Sequence, residues 1–450
     1  MRVPSKSTAK GISERWPTTI SSGRASGFNV LTVRLIREYP VLLIMESGDA
    51  LAETDSKPPI KMVEVLGSRI HKTLFENAPT SIEEWVKCTQ FFEAWGDVPV
   101  DPISLKTRRK QIMIESRGGS YRAEFSQWPV SGMRARMRSE NNRVEWPVGG
   151  LAIEGLDIIL FWKDESNSPD AEEVMFQHIA SQDMVSATQL LERCGRALAS
   201  VQEGLSAQWT GPSDSRAWNL SITKLEEATK SRTLWRAPFK PGMPAMLSLG
   251  KTSLDRFSES HDGVMRLRPP MCGASDAASR SRGVEWPALR DLAALLYNIG
   301  EITHGNVVAD DFEKLRLAAI RGWSDHPGRR RTGGVKPQRA LQIIGGGLSI
   351  WEYEQALTSK FDTSENSSPT SPRTDYILRN IASVQRKLFT IRIFSAVSLI
   401  GASSAFLGII ASILEPSQMS FSAAAAGVSV YIVMNGLYRF MAPKPESIFT

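Results

Sequence analysis

The sequence predicts an α+β protein of two lobes, a small β-rich lobe and then a larger helical lobe, followed by a C-terminal two-helix transmembrane hairpin. Three observations predict it. Residues 111–115, 121–125 and 156–162 are short β-rich runs separated by Gly, Pro and Asn turns, the pattern of a small antiparallel sheet. From 183 onward Val185, Leu190, Leu191, Cys194, Leu198, Val201 and Leu205 recur every three or four residues, which is a long amphipathic helix. Residues 393–414 and 419–438 carry no charge, and 29 of these 42 residues are apolar. Each stretch is long enough to cross about 30 Å of hydrocarbon as a helix.

The 450 residues hold 54 Lys and Arg against 48 Asp and Glu and are 42% hydrophobic, which excludes a mainly disordered or fibrous chain. A net charge of +6 is too mild at this length to indicate nucleic acid, which needs cations gathered on one face, so no nucleic-acid partner is expected. Cys88, Cys194 and Cys272 lie far apart and are odd in number, which excludes a disulfide framework and a CxxC motif. His71, His178, His261, His304 and His326 show no zinc spacing, so no metal and no cofactor is expected.

In chain order, residues 1–45 read as a disordered basic arm. Its first 27 residues hold five basic residues, one acidic residue and six serines, a composition also shared by transit peptides and by extensions upstream of a later start at Met45. Residues 60–165 form the N-terminal lobe, opening with a helix over 80–95 on the apolar positions Ile82, Trp85, Val86, Phe91, Phe92 and Trp95. Residues 166–357 form the helical lobe. Residues 358–390 are a linker and juxtamembrane segment, within which the Ser-, Thr- and Pro-rich 359–374 predicts a flexible tether. Residues 391–441 hold the hairpin, whose spans are joined only by Glu415, Pro416, Ser417 and Gln418, so both ends lie on one side. Arg379, Arg386, Lys387, Arg392, Arg439 and Lys444 flank the spans and the joining loop has no cation, which by the positive-inside rule puts the N-terminal domain and the C-terminus in the cytoplasm. Small residues at four-residue spacing, Gly401/Ala405, Ser404/Gly408/Ser412 and Ala423/Gly427, predict close helix contact, and Asn435 predicts a hydrogen bond across the pair or to another copy.

Residues 246–269 read as an apolar strand start, a loop, a short strand, an Asp262-Gly263 turn and a second strand. Here the chain resembles the protein-kinase-like superfamily in its aminoglycoside-phosphotransferase branch, whose catalytic segment runs roughly HGDxHxxNVLxDxxGxxxxID. Gly250, Phe257, Gly263 and Leu267 fall in register with it, and 285–297 resembles the following helix, with Asp291 at its structural Asp-Leu-Ala position. Residues 314–324 resemble the helix and turn after that. The resemblance implies a two-lobed kinase-like fold over about 180–330, with 108–165 matching by lobe type. In the family an Asp accepts the substrate proton, and an Asn and a second Asp bind magnesium. In this register those positions are Lys251, Arg256 and Arg268, cations where the chemistry requires a base and metal ligands. The resemblance therefore implies a catalytically degenerate pseudokinase, with Lys251, Arg256 and Arg268 either holding an anion or paired with acids such as Asp255 or Asp262. Lys110 and Glu124 are bare guesses for the phosphate-gripping lysine and its glutamate partner.

Three further motifs compete. Residues 245–252 formally match a phosphate loop ending in Gly250, Lys251 and Thr252, but 238–244 is broken by proline. His304, Gly305 and Asn306 imitate part of a kinase loop, yet read better as a helix connection with Asp310 and Asp311 capping the next helix. Basic clusters at 106–110, 134–143 and 329–339 suit anionic lipid headgroups as well as plain solubility. The expected function is that of a membrane-anchored kinase-like protein that has lost Mg·ATP phosphotransfer and binds a ligand, lipid or protein partner at the cytosolic face. The alternatives are an active ATP-dependent kinase using acids such as Asp255 or Asp262, and a membrane scaffold with no cleft function.

Overall fold

A computed structural model describes residues 24–25, 28–36, 39–46, 60–73, 81–82, 92–99, 102–108, 111–130, 143–163, 169–205, 211–212, 214–231, 244–246, 248–281, 286–325, 348–365 and 371–441. Strands fill its first part. β1 (Arg24–Ala25), β2 (Phe28–Ile36) and β3 (Tyr39–Glu46) form an antiparallel sheet within the arm expected to be disordered. The β-branched runs of 28–46 outweigh the basic, serine-rich composition of 1–27. β4 (Ile60–Val65) and β5 (Ser68–Thr73) form a hairpin. β6 (Glu93–Gly96), β7 (Pro102–Arg108), β8 (Gln111–Ser116), β9 (Gly119–Phe125), β10 (Gly149–Ile153) and β11 (Leu156–Lys163) make one six-stranded antiparallel sheet, in the order β6-β10-β11-β9-β8-β7.

Period-two alternation builds this sheet's core. Ile112 faces Ala123 and Ile114 faces Tyr121 across the β8–β9 pair, and all four are buried. With Phe92, Leu151, Ile158, Ile159 and Phe161 they form a core separate from that of the helices, each large side chain contributing about 1.5–3 kcal/mol of burial. The expected helix over 80–95 fails at its end: Glu93, Ala94 and Trp95 belong to β6, because they pair with β10. Residues 83–91 lie outside the described residues.

The helical lobe comprises α1 (Ala171–Ala180), α2 (Met184–Leu205), α3 (Ser215–Thr229), α4 (Ala274–Ser281), α5 (Leu289–Thr303), α6 (Ala309–Ser324) and α7 (Leu348–Glu365). Asp170 and Asp214 cap α1 and α3 by accepting from the amides of Glu173 and Arg216. The periodicity that predicts α2 holds from Leu190 to Leu205, all buried, whereas Val185 in its first turn is 69% exposed. Five short strands lie among the helices: β12 (Gly211–Pro212), β13 (Pro244–Met246) and β16 (Trp286–Pro287) form one sheet, and β14 (Phe257–Glu259) and β15 (Met265–Leu267) form a hairpin.

The segment 359–374 is not a flexible tether throughout. α7 runs to Glu365, with Thr358, Ser359 and Phe361 buried, and α8 (Pro372–Leu414) begins at Pro372 behind the N-cap Ser371. Packing against α5 and α8 overrides a Ser- and Thr-rich composition that by itself reads as a linker. α8 continues without interruption from the lobe into the first apolar span, and α9 (Gln418–Met441) returns. Ile393–Leu414 and Gln418–Tyr438 are long and apolar enough to cross a membrane. Their contact is made by Gly401, Ala405 and Gly408 against Ala424 and Gly427: a Cβ on Gly408 would lie 2.6 Å from the Ala424 nitrogen, and one on Gly401 would lie 2.9 Å from that of Tyr431. Ala424, not Ala423, is the contact residue, and Ser404 faces outward. Leu399, Phe406, Leu407, Ile413 and Leu414 also point outward.

Candidate functional site

The two cores meet at the β14–β15 hairpin. A 3-10 turn over Leu254–Arg256 leads into β14, and Arg268 follows β15 directly. The Arg268 amide donates to the Arg256 carbonyl (2.8 Å), which places both guanidinium groups side by side. Facing them is Glu124 on β9. One carboxylate oxygen accepts from Arg256 Nη1 and the other from Arg268 Nη1 at 3.1 Å. Arg268 is fully buried and Glu124 is 3% exposed. Arg268 Nε also lies 3.4 Å from Glu145, and its guanidinium carbon sits 5.7 Å from the Trp162 ring centroid, while Arg256 Nε lies 3.5 Å from Asp255. Burial alone would raise the Glu124 carboxyl, but Arg256 and Arg268 overcome it and hold Glu124 below the usual carboxylate range. Backbone bonds close the same junction: Glu145 N–H donates to the Leu267 carbonyl (3.0 Å) and Leu267 N–H to that of Arg143 (2.7 Å).

Lys251 stands apart from this pair. It is half-buried, and its charge acts on the carboxyls of Asp276 and Asp362. Asp362 reaches across from α7 to the start of α4, where the Ser275 amide donates to it at 3.4 Å. Burial, reinforced by Asp276, pushes the Asp362 carboxyl up to about 7. The three cations singled out in the sequence are thus not gathered into one anion cradle, since two of them pair with a shared glutamate and with Asp255 and Glu145. Asp262, the other expected partner, sits at the hairpin turn, where it accepts from the Val264 amide and pairs with Arg266 at 3.3 Å.

Gly250 and Asp291 lie together. The buried Asp291 carboxylate accepts from Ser248 Oγ (2.6 Å), the Leu249 amide (3.1 Å), the Gly250 amide (3.2 Å) and Gln202 Nε2 (3.1 Å), and so fixes the loop that carries Lys251. Burial raises the Asp291 carboxyl against these donors. Gly250 has φ +87°, and a Cβ there would meet the Asp276 carboxylate at 2.7 Å, so the close turn requires glycine. Next to Asp291, Arg290 pairs with Asp276 (2.6 Å) and Glu354 (2.7 Å) and donates to Ser248 Oγ (3.1 Å). Sequence reasoning misses Glu145, which lies outside the helices and strands, and Asp276, Glu354 and Asp362, which sit on helices otherwise patterned as core.

The formal phosphate loop does not form one. β13 is three residues long, and Gly250, Lys251 and Thr252 run into a 3-10 turn instead of opening an α-helix. His304, Gly305 and Asn306 connect α5 to α6, as expected, but Asp310 and Asp311 lie in the first turn of α6, whose N-cap is Val308. Lys106 pairs with Glu115 (3.3 Å), while Lys110, 134–142 and 329–339 lie outside the described residues. Among the described residues no group of three His, Cys, Asp or Glu is placed to hold a metal ion. Trp128, Trp146, Trp162, Pro147, Pro269 and Pro270 are among the residues that line a mainly apolar cavity of about 70 Å³ between the sheet and the segment after Arg268, where Ser126 and Asp157 add polar atoms.

No protein-family model and no curated protein sequence matches the chain. Among solved structures it is loosely similar to a glucosamine kinase (crystal form B), with 12% identity, a TM-score of 0.45, and coverage of 78% of this chain and 92% of that one. A glucosamine kinase in complex with glucosamine, ADP and inorganic phosphate gives 11% identity and a TM-score of 0.43, covering 84% of this chain and 98% of that one.

Proposed function

We propose that this is a membrane-anchored, two-lobed kinase-like protein that has lost Mg·ATP phosphotransfer and acts by binding at the cytosolic face. The observation that carries the reading is the buried Arg256–Glu124–Arg268 bridge between the lobes. In protein kinases the phosphate-gripping lysine stands on the third strand of the small lobe, opposite an Asn and an Asp that hold magnesium. Glu124 stands on β9 of the six-stranded sheet, and it faces Arg256 and Arg268 on the helical lobe. Guanidinium groups repel magnesium, and their direct pairing with a carboxylate closes the junction that metal and nucleotide would otherwise bridge.

Support for the rest of the family resemblance comes from Asp291, which fixes the 248–250 loop through two backbone amides in the manner its position implies. The apolar cavity beside Arg268 offers a binding place that responds to the relative position of the lobes. The test is thermal denaturation of the full chain in detergent, with and without Mg·ATP. We expect no shift. A magnesium-dependent rise of several degrees would overturn the degenerate reading in favour of an active ATP-dependent kinase.

A further inference from the structure

The cavity between the sheet and the segment after Arg268 is built on the sheet face that carries Glu124. Ser126 and Trp128 continue the alternation of buried side chains that passes through Glu124, and on β11 Leu160, paired with Glu124, is followed two residues on by Trp162. Pro269 and Pro270, directly after Arg268, contribute from the helical lobe. Three indoles line the space, and that of Trp162 is fixed by its Nε1 donating to the Glu145 carbonyl at 3.1 Å. The walls select against charge. The Asp157 carboxylate, which accepts from Trp95 Nε1 at 3.0 Å, repels an anion. Arg268 stands 5.7 Å from the Trp162 ring centroid and Lys72 Nζ 4.8 Å from that of Trp128, so two of the rings already carry a cation and a further one would be repelled. A neutral polar group remains for a ligand: Ser126 is 5% exposed, and among the described residues its hydroxyl has no hydrogen-bond partner. The volume of about 70 Å³, against ~10–15 Å³ for each water-sized atom, holds about five to seven non-hydrogen atoms.

We propose that this cavity binds a neutral aromatic ring bearing one hydroxyl, a phenol, whose ring packs on Trp128, Trp146 and Trp162 and whose hydroxyl pairs with Ser126. Indole walls favour a π face over an aliphatic ring of the same size, because aromatic rings gain from edge-to-face and offset contacts beyond their buried area. A buried hydroxyl without a partner favours a ligand that can hydrogen-bond over one that cannot. The bound ring lies between the sheet and Pro269 and Pro270, so it draws the two lobes together next to the Arg268 that bridges them. The inference rests on the reading of this cavity as the protein's binding place, and it is separate from the loss of phosphotransfer.

The test titrates the full chain in nanodiscs, with empty nanodiscs as the reference for partition into lipid, using phenol, cyclohexanol and toluene. Binding is read from the fluorine resonances of fluorotryptophan-labelled protein and from the melting temperature. We expect saturable shifts at Trp128, Trp146 and Trp162, none at Trp218 in the helical core, and a rise in melting temperature with phenol. Cyclohexanol, which lacks the π face, and toluene, which lacks the hydroxyl, should each bind about fivefold more weakly or worse. Ser126→Ala should leave the melting temperature of the free protein as it was, weaken phenol about fivefold and leave toluene unchanged. Leu160→Trp, which fills the space, should abolish the binding of all three. The proposal is overturned if phenol gives no saturable shift at the three tryptophans, if cyclohexanol binds as tightly as phenol, or if Ser126→Ala binds phenol as the parent does. Mg·ATP added to the same discs keeps the two readings apart: stabilisation by it overturns the degenerate reading and leaves the phenol titration standing, whereas a flat phenol titration with no response to Mg·ATP overturns the cavity assignment alone.

Discussion

Arg256 and Arg268 are separated from Glu124 by 132 and 144 residues, and this separation explains what the sequence conveys about them. Their register with a catalytic segment marks them as cations in the wrong place, but a long-range ion pair leaves no local pattern, so Glu124 remains only a guess until β9 is seen to face the hairpin. The structure makes Glu124→Gln a strong prediction. Removing the shared carboxylate leaves two buried guanidinium groups without their common anion, and breaking a buried pair in this way costs about 3–5 kcal/mol. Chemical denaturation of the full chain should register that loss. Replacing all three residues together, as Glu124→Met with Arg256→Met and Arg268→Leu, should restore most of it, because an apolar substitute for a buried ion triad is often neutral or stabilising. If the single variant is as stable as the parent, the bridge does not hold the lobes together.

At the scale of elements, alternation and periodicity succeed where burial is one-sided. β8 and the first half of β9 are legible because alternate residues, Ile112, Ile114, Tyr121 and Ala123, enter one core, β11 because its apolar run is buried almost throughout, and α2 because Leu190, Leu191, Cys194, Leu198, Val201 and Leu205 line one face. They fail where a partner decides. Residues 93–95 become a strand through pairing with β10, and 359–365 become helix through packing on α5, so neither state is written in the local composition. The apolar pair α8–α9 is legible in full as two helices, while the side of α9 that makes the contact is off by one residue, at Ala424 instead of Ala423. The contact itself predicts that Gly408→Leu forces the helices apart, at an overpacking cost of about 1–3 kcal/mol. Spin labels at the outward positions 399 and 433 should report a wider separation in that variant, and Ser403→Leu, on the outward face, should leave it unchanged. Equal distances in all three proteins would mean that the small residues do not set the approach.

For the whole molecule, the continuity of α8 matters more than either end of it. Its first turn is locked into the body: Ile377 is buried in the helical core, the Thr374 hydroxyl bonds that of Tyr297, and Arg373 lies between two rings. Its last 22 residues are the first apolar span. With its apolar span in a bilayer, as proposed, a helix rooted at the other end in a packed core would transmit orientation, whereas the tether implied by the Ser- and Thr-rich composition would not. The body should therefore stand at a defined distance of about 30 Å from the membrane, twenty residues at 1.5 Å each. Energy transfer from a fluorophore on the body to labelled lipid should give a narrow distance distribution. Inserting a Gly-Ser segment after residue 385 should broaden that distribution while leaving the melting temperature of the body and the resistance to carbonate extraction as they were, because neither the core contacts of 372–379 nor the spans are touched. A distribution already broad in the parent chain would show that the helix bends between its two anchors, and the body would then be free to sample the surface beneath it.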